Sequence, residues 1–450
     1  MSAPLSDSDA SDDHQPAGAA RAAPRSPLAI AAFRLNLFSR FAFSMAASGT
    51  VVVIGWQVYD VARSAYGMSP ARAAFQLGLL GLVQFVPLLL LTPVAGWAAD
   101  RFDRRRVGAL AMGLDMLVAV GLGLATWHGG LTLPLLFGFA ALHGVVRVFA
   151  GPALGAITPN VVPPALLPRA IAVGSMTFTV AGVGGPALGG LLYAVSPVAP
   201  YAVGATLSAL AVVAILQVPP LPQVAMRRDI HPLRQMAEGL RFVSHERFLL
   251  GCITLDLFAV LLGGATALLP VYARDILHVG PEGLGQMRAA PAFGGGLVAA
   301  VLALRPIERQ VGAKMLLAVA VFGGATLVFG VSRWYPLSLA MLALLGAADM
   351  ISVFIRNSLV QLNTPDAMRG RVQSVSGLAI SASNELGEME SGLLAALLGA
   401  PGAVVFGGIG AIAVTAAWWV LFPELKRAKS FAPQYRRQPT DPVTGQEQAA

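Results

Sequence analysis

Twelve apolar stretches, each of roughly 20 residues and joined by mostly short polar connections, leave this chain few ways to fold. A helix of that length crosses about 30 Å of hydrocarbon, and within lipid a spanning helix satisfies its own backbone polar groups. The stretches fall at 36–58, 74–97, 107–128, 132–153, 169–194, 200–218, 248–270, 283–304, 312–332, 337–360, 373–398 and 402–422. The fold class is therefore an all-α membrane protein. Composition agrees: the 450 residues are 56% hydrophobic and 12% charged, with a mean hydropathy of +0.69. A soluble domain carries about twice that charged fraction.

Basic residues set the orientation. Arg101, Arg104, Arg105 and Arg106 crowd one connection, Arg227, Arg228, Arg234, Arg241 and Arg247 another, and Lys426, Arg427 and Lys429 the end of the last stretch. Only Arg63, Arg72, Arg274 and Arg333 fall on the opposite side. By the positive-inside rule both termini are cytoplasmic. The net charge of +8 then reflects orientation and contact with anionic lipid, and nucleic acid is not expected as a partner.

Residues 1–32 are Ser-, Asp-, Ala- and Pro-rich, with too little apolar content to pack, and read as a disordered cytoplasmic tail. They lack the apolar core of a cleavable signal peptide. The polar 426–450 segment reads as a second tail. Between 219 and 247 lies the one long internal connection. It carries apolar residues at helical spacing and predicts an amphipathic helix at the membrane interface. It separates a 33–218 bundle from a 248–425 bundle. A weak echo links the two halves, since Val148-Phe149 followed by Thr158-Pro159 recurs as Val353-Phe354 followed by Thr364-Pro365.

The single cysteine, Cys252, rules out an internal disulfide. The six histidines lack metal-ligand spacing, and none of the three lysines ends a phosphate-binding loop. No cofactor and no enzymatic activity are expected. His143, within a span, reads as a hydrogen-bonded structural histidine, with a place along a transport path as the other reading.

Ionisable groups inside spans are costly, about 2.5–3.5 kcal/mol on insertion scales, and functional by default. They are Asp115, Arg147, Asp256, Arg288, Asp349, Arg356, Glu385, Glu388 and Glu390. Asp349 and Arg356, two turns apart, share a helix face, as do Glu385 and Glu388, while Glu390 is turned away. Three carboxylates in six residues cannot all face lipid as anions. Some must line a hydrated cavity, pair with Arg288 or Arg356, or stay protonated. A carboxylate whose hydration alternates can gain and lose a proton, which makes Glu385 and Glu388, then Asp256 and Asp349, the proton-coupling candidates. Static interhelical pairing is the alternative for each. Arg147, Arg288, Arg356, Asp115 and Glu390 are cavity or charge-pair candidates. Arg40 and Asp60, near span ends, read as snorkelling.

Gly96-Trp-Ala-Ala-Asp100-Arg101-Phe-Asp-Arg104-Arg105 resembles the loop between the second and third helices of the major facilitator superfamily. The resemblance implies twelve transmembrane helices in two pseudo-symmetric six-helix bundles. It also implies a conformational latch made of Gly96, Asp100, Arg101, Arg104 and Arg105, in which Gly96 lets helices approach and Asp100 faces the other bundle. Anchoring of the topology is the plainer role for these arginines. Asp103 stands where the superfamily pattern has glycine, which puts its tight turn in question. Gly185-Pro186 with Gly189-Gly190 in the fifth span resembles the superfamily's exporter motif, although Gly-Pro pairs also serve simply as packing kinks.

A narrower likeness is to the enterobactin-exporter family. It is carried by Trp56-Gln-Val-Tyr-Asp60, Gly81-Leu-Val-Gln-Phe-Val-Pro87, Glu238-Gly-Leu-Arg-Phe-Val243, Gly263-Gly-Ala-Thr-Ala-Leu-Leu-Pro-Val-Tyr-Ala273, Arg288-Ala-Ala-Pro291, Asn384-Glu-Leu-Gly-Glu388 and Phe422-Pro-Glu-Leu425. It implies a proton-driven inner-membrane exporter of a siderophore or similar amphipathic small molecule, working by alternating access; a monomer is expected. A lysophospholipid or multidrug transporter, and a transport-dead sensor or assembly partner, are the alternatives.

Overall fold

The computed structural model describes residues 26–220, 232–305, 307–366 and 368–432. The expected tails up to residue 25 and from 433, and the 221–231 part of the linker, lie outside the described residues. Within them the chain is helical throughout, with eleven helices long and apolar enough to cross a membrane. The last of these, Arg369–Leu421, is broken at Gly399, whose φ of 74° is left-handed. Glycine takes that conformation at little cost, so the run contains the eleventh and twelfth spans.

The first six spans are Ala31–Ser64, Pro70–Arg101, Arg104–Trp127, Leu133–Gly155, Leu167–Val195 and Ala199–Leu216. After the linker come Arg247–Leu262, Gly280–Leu304, Val311–Val331 and Tyr335–Asn363, followed by the broken helix. The first and second helices run several residues past their apolar stretches at both ends, whereas the sixth and ninth match theirs to within two residues. Polar ends are capped, as where Ser69 and Thr132 accept from backbone N–H groups of the second and fourth spans. The linker forms the helix Pro232–His245, pinned to the eleventh span by the Glu238–Arg371 pair at 3.2 Å.

The seventh span departs from the expected unbroken 248–270 helix. It stops at Leu262, passes through a 3-10 turn at Ala265–Leu268, and ends in a wide π turn over Tyr272–Ile276. Gly263-Gly264 makes the break, and crowding accounts for a glycine there: a Cβ on Gly264 would stand 2.4 Å from the Gly387 carbonyl oxygen.

The two bundles meet along two crossings, the second span on the eleventh and the fifth on the eighth. Each passes glycine against glycine. A Cβ on Gly392 would lie 2.4 Å from the Gly78 Cα, and one on Gly190 would lie 2.8 Å from the Gly285 Cα. These crossings sit at corresponding places in the two halves, both near the face opposite the ends of the described chain. The apolar core repeats the message. At that closed face one continuous cluster joins both bundles, from Val52–Ala62 to Leu268–Ala273 and Ala395–Val404. Toward the other face the clusters separate, one around Met112 and Leu154, the other around Leu255 and Met315.

Candidate functional site

Where the bundles diverge they enclose a cavity of about 810 Å³, within the size range of small-molecule sites. Phe43, Phe178, Phe322, Leu345 and Met350 supply apolar walls, and Ser44, Ser48, Thr179 and Asn384 supply polar ones. The charged lining is Arg40, Arg147, Arg288, Asp349, Glu385 and Glu388. Arg40 is thus a wall of the cavity and not a snorkelling residue.

At the floor, Arg147 of the fourth span donates from Nη1 to Glu385 Oε1 of the eleventh at 3.2 Å, and reaches Gln84 Oε1 of the second at 3.4 Å. This ion pair joins the amino-terminal bundle to the carboxy-terminal one across the cavity. Glu385 is buried, while nearly half of the Arg147 side chain is exposed to the cavity. One helical turn on, Glu388 Oε1 lies 3.5 Å from Arg288 Nη2, and Arg288 also donates to the Thr266 carbonyl at 2.8 Å. That carbonyl belongs to the 3-10 turn left by the break in the seventh span. The break therefore helps to hold the arginine.

Asp256 and Arg356 pair with each other inside the carboxy-terminal bundle, both buried and away from the cavity. Asp349 shares a helix face with Arg356 but does not pair with it. It has no hydrogen-bond or ion-pair partner among the described residues, and it lies between the large cavity and a small void that Asp256 also lines. Glu390 lines neither, and its Oε2 has no hydrogen-bond partner among the described residues. Asp115 meets the His143 ring and the Ser208 hydroxyl in the amino-terminal bundle.

Because Asp256–Arg356 is sealed from solvent, losing one partner leaves a naked buried charge, which costs about 3–5 kcal/mol. We expect Arg356→Ala to lower the thermal unfolding midpoint in detergent sharply. The paired change Asp256→Leu with Arg356→Met should recover most of the loss. A single variant as stable as the parent would remove this pair from the structural account.

The loop at 96–106 differs from its expected form. A Cβ on Gly96 would meet nothing within 4 Å, so no close helix approach depends on it here. The Asp100 side chain lies outside the described residues. Arg101 stacks on Trp97, its guanidinium carbon 5.6 Å from the ring centroid. Arg104 donates to the Ala156 carbonyl at 3.4 Å, and Arg105 donates to the Val218 carbonyl. These arginines bind their own bundle because the two bundles stand apart at this face. Asp103, in place of the usual glycine, has φ −59° and caps the third span by accepting from the Arg105 backbone N–H at 3.0 Å. Hydrogen bonds from the Arg105 side chain hold the Asp103 carboxyl below the usual carboxylate range. Its contribution to the loop is therefore present above the ordinary carboxylate range and fades only as pH falls through the lowered value.

In the fifth span, Gly185 and Gly189 pack on the Gly49 backbone of the first, Gly190 packs on the eighth, and Pro186 faces the cavity. The motif thus places three helices against one another at backbone distance.

The closed face carries a cluster that the sequence reading missed. Asp275 Oδ2 accepts the Tyr59 hydroxyl proton at 2.5 Å and pairs with Arg63 Nε at 3.3 Å. Arg274 Nη1 pairs with Asp60 Oδ1 at 2.7 Å. The ends of the first and seventh spans are interlocked by opposite charges. The signal was available: both halves place an acid and an arginine at the ends of corresponding spans. We expect Asp275→Asn to open this face about two- to fivefold more often, the modest scale of partly exposed pairs. Cysteine at Gly55, where a Cβ would meet only the Pro270 ring at 3.9 Å, would report it through faster alkylation by an impermeant reagent applied to that face. An unchanged rate would discount the gate.

Comparison with known proteins adds to this geometry. A family profile described as transmembrane secretion effector matches residues 23–444. The enterobactin exporter EntS of Citrobacter koseri is 26% identical over 405 residues, covering 89% of this chain and 94% of that protein. EntS of Escherichia coli O1:K1 / APEC is 25% identical over 406 residues, covering 90% and 94%. Among solved structures, a bacterial homologue of the human lysosomal transporter Spinster, inward-facing and occupied, superposes with a TM-score of 0.68 at 16% identity, over 90% of this chain and 98% of that one. A D-xylose–proton symporter follows at 0.66 and 13%, over 88% and 98%. These likenesses establish the major facilitator fold in a multi-pass membrane protein.

Proposed function

Because the chain belongs to the transmembrane secretion effector family, we propose that it is a secondary active exporter of the bacterial inner membrane. It moves a siderophore or a similar amphipathic small molecule outward in exchange for protons. Both termini face the cytoplasm, so the cavity opens inward and the Tyr59–Asp275 cluster seals the periplasmic face.

The observation that carries this reading is the Arg147–Glu385 pair, which ties the two bundles together beside the solute-sized cavity. An ionised Glu385 holds Arg147; a protonated one releases most of that attraction. The charge state of one carboxylate thus biases a two-state equilibrium between bundle arrangements. A solute with an aromatic or acyl body suits the Phe and Met walls, and its polar groups suit Arg40, Ser44 and Asn384. Repeat-against-repeat rocking about such a midplane site is the general logic of this fold.

The test is flux in proteoliposomes, with enterobactin and a panel of lipophilic dyes as probes. Movement driven by an imposed pH gradient and abolished by a protonophore is expected. No gradient-sensitive flux of any probe would reject the exporter and favour a sensor or assembly role.

A further inference from the structure

His143 sits in the fourth span one turn before Arg147, buried to 1% exposure, with its Nδ1 2.7 Å from Asp115 Oδ1. Asp115 is itself steadied by the Ser208 hydroxyl at 3.3 Å. A carboxylate in that position fixes the tautomer: Nδ1 carries the hydrogen and donates it, and Nε2 keeps its lone pair. Nε2 is buried and has no hydrogen-bond partner among the described residues, yet His143 belongs to the lining of the large cavity. A buried, oriented imidazole with a vacant acceptor in a cavity wall is more than a packing residue needs. Buried polar atoms are otherwise almost always satisfied.

We infer that His143 and Asp115 form a second proton-binding site, in the amino-terminal bundle, which communicates with Glu385 through Arg147. The inference rests on the proton-coupled reading above. The proton passes from bulk solution through cavity water to Nε2. The ring becomes imidazolium, its Nδ1–H stays on Asp115, and the charge is balanced by that carboxylate. Release returns the same proton to the cavity.

The surroundings explain the coupling. From the third span Asp115 meets the ring, and Ser208 of the sixth bonds that carboxylate; Arg147 follows one turn on along the same helix and bonds Gln84 of the second, and Arg40 of the first lines the same cavity. Residues one turn apart on a helix are neighbours, about 5–6 Å between Cβ atoms. While Glu385 is ionised, it compensates Arg147, and an imidazolium nearby is tolerated. When Glu385 takes a proton, Arg147 stands uncompensated and repels a second positive charge. The two sites therefore do not fill together. Loading one discharges the other, which lets a proton bound on the carboxy-terminal side displace one from the amino-terminal side.

The test is 15N NMR of histidine-labelled full-length protein in lipid, in which the chain's six histidines are resolved and His143→Gln identifies its own resonance. Across a pH series from alkaline to acid, Nε2 is expected to pass from bare to protonated while Nδ1 stays protonated throughout. Asp115→Asn and Glu385→Gln should each move the midpoint. A ring locked in one form across the range overturns the inference. So does a midpoint that Glu385→Gln leaves in place. If His143→Gln does not accumulate, replacing the other five histidines leaves the His143 resonance alone and supplies the assignment. The titration needs no solute or gradient, so its failure is distinct from absence of gradient-driven export in proteoliposomes.

Discussion

Valine at Gly392, or at its counterpart Gly190, is expected to stop turnover while the protein still inserts and folds. At Gly392 a Cβ would stand 2.4 Å from the Gly78 Cα and 2.5 Å from the Gly78 nitrogen; at Gly190 it would stand 2.4 Å from the Pro281 carbonyl oxygen. All of these neighbours are backbone, so no side-chain rotation relieves the clash. The helices must separate at the closed face, which is the motion that opening that face requires. Overpacking costs about 1–3 kcal/mol, and each 1.4 kcal/mol is a factor of ten, so the closed state loses roughly five- to 150-fold in population. Spin labels at Trp127 and Trp334, exposed near the same face on opposite bundles, should show a longer distance in the variant. An unchanged distance with normal turnover would mean that the glycine crossings do not govern closure.

The asymmetry between the two faces explains why some of this was legible in the sequence and some was not. Span positions were legible because apolar length is a local property, and the buried acids were legible because charge in an apolar run stands out. Partners were a different matter. Helical spacing placed Asp349 and Arg356 on one face, but Arg356 turned out to pair with Asp256 of the seventh span. Spacing orders residues around one helix and says nothing of which helix lies opposite. Spacing also puts Glu385 and Glu388 on one face, and they do face the cavity together, yet each answers a different arginine from a different bundle.

The same limit hid the outer cluster. Asp60 and Arg63 looked like ordinary span-end residues until Arg274 and Asp275, more than two hundred residues later, were placed against them. In the 96–106 loop the error ran the other way. A familiar pattern suggested close packing at Gly96, whereas the loop is organised by the one residue that breaks the pattern, Asp103. A motif transfers chemistry, but the local cap is set by the side chain present. The fifth-span glycines did what small residues do in membranes, which is to bring backbones together, and they served an intra-bundle and an inter-bundle contact at once.

Glu385→Gln should uncouple transport from the proton gradient without dismantling the site. Glutamine keeps the shape and an oxygen that can accept from Arg147, but it cannot change charge. Since nearly half of the Arg147 side chain is exposed to the cavity, water can solvate the released guanidinium, so the fold survives. The loss is that of one charged hydrogen bond, about 1.5–3 kcal/mol, which corresponds to a roughly 10- to 150-fold fall in gradient-driven accumulation. Solute exchange with no net proton movement needs only the cavity, so counterflow should persist. The pH dependence of export should flatten, because the variant resembles the protonated carrier at every pH. Glu388→Gln should act more weakly: its contact with Arg288 is longer, 3.5 Å, and Arg288 retains the Thr266 carbonyl. The double variant should lose gradient drive altogether. Full accumulation in that double variant would move coupling away from the eleventh span and leave Asp349, unpaired between two cavities, as the group that has to carry it.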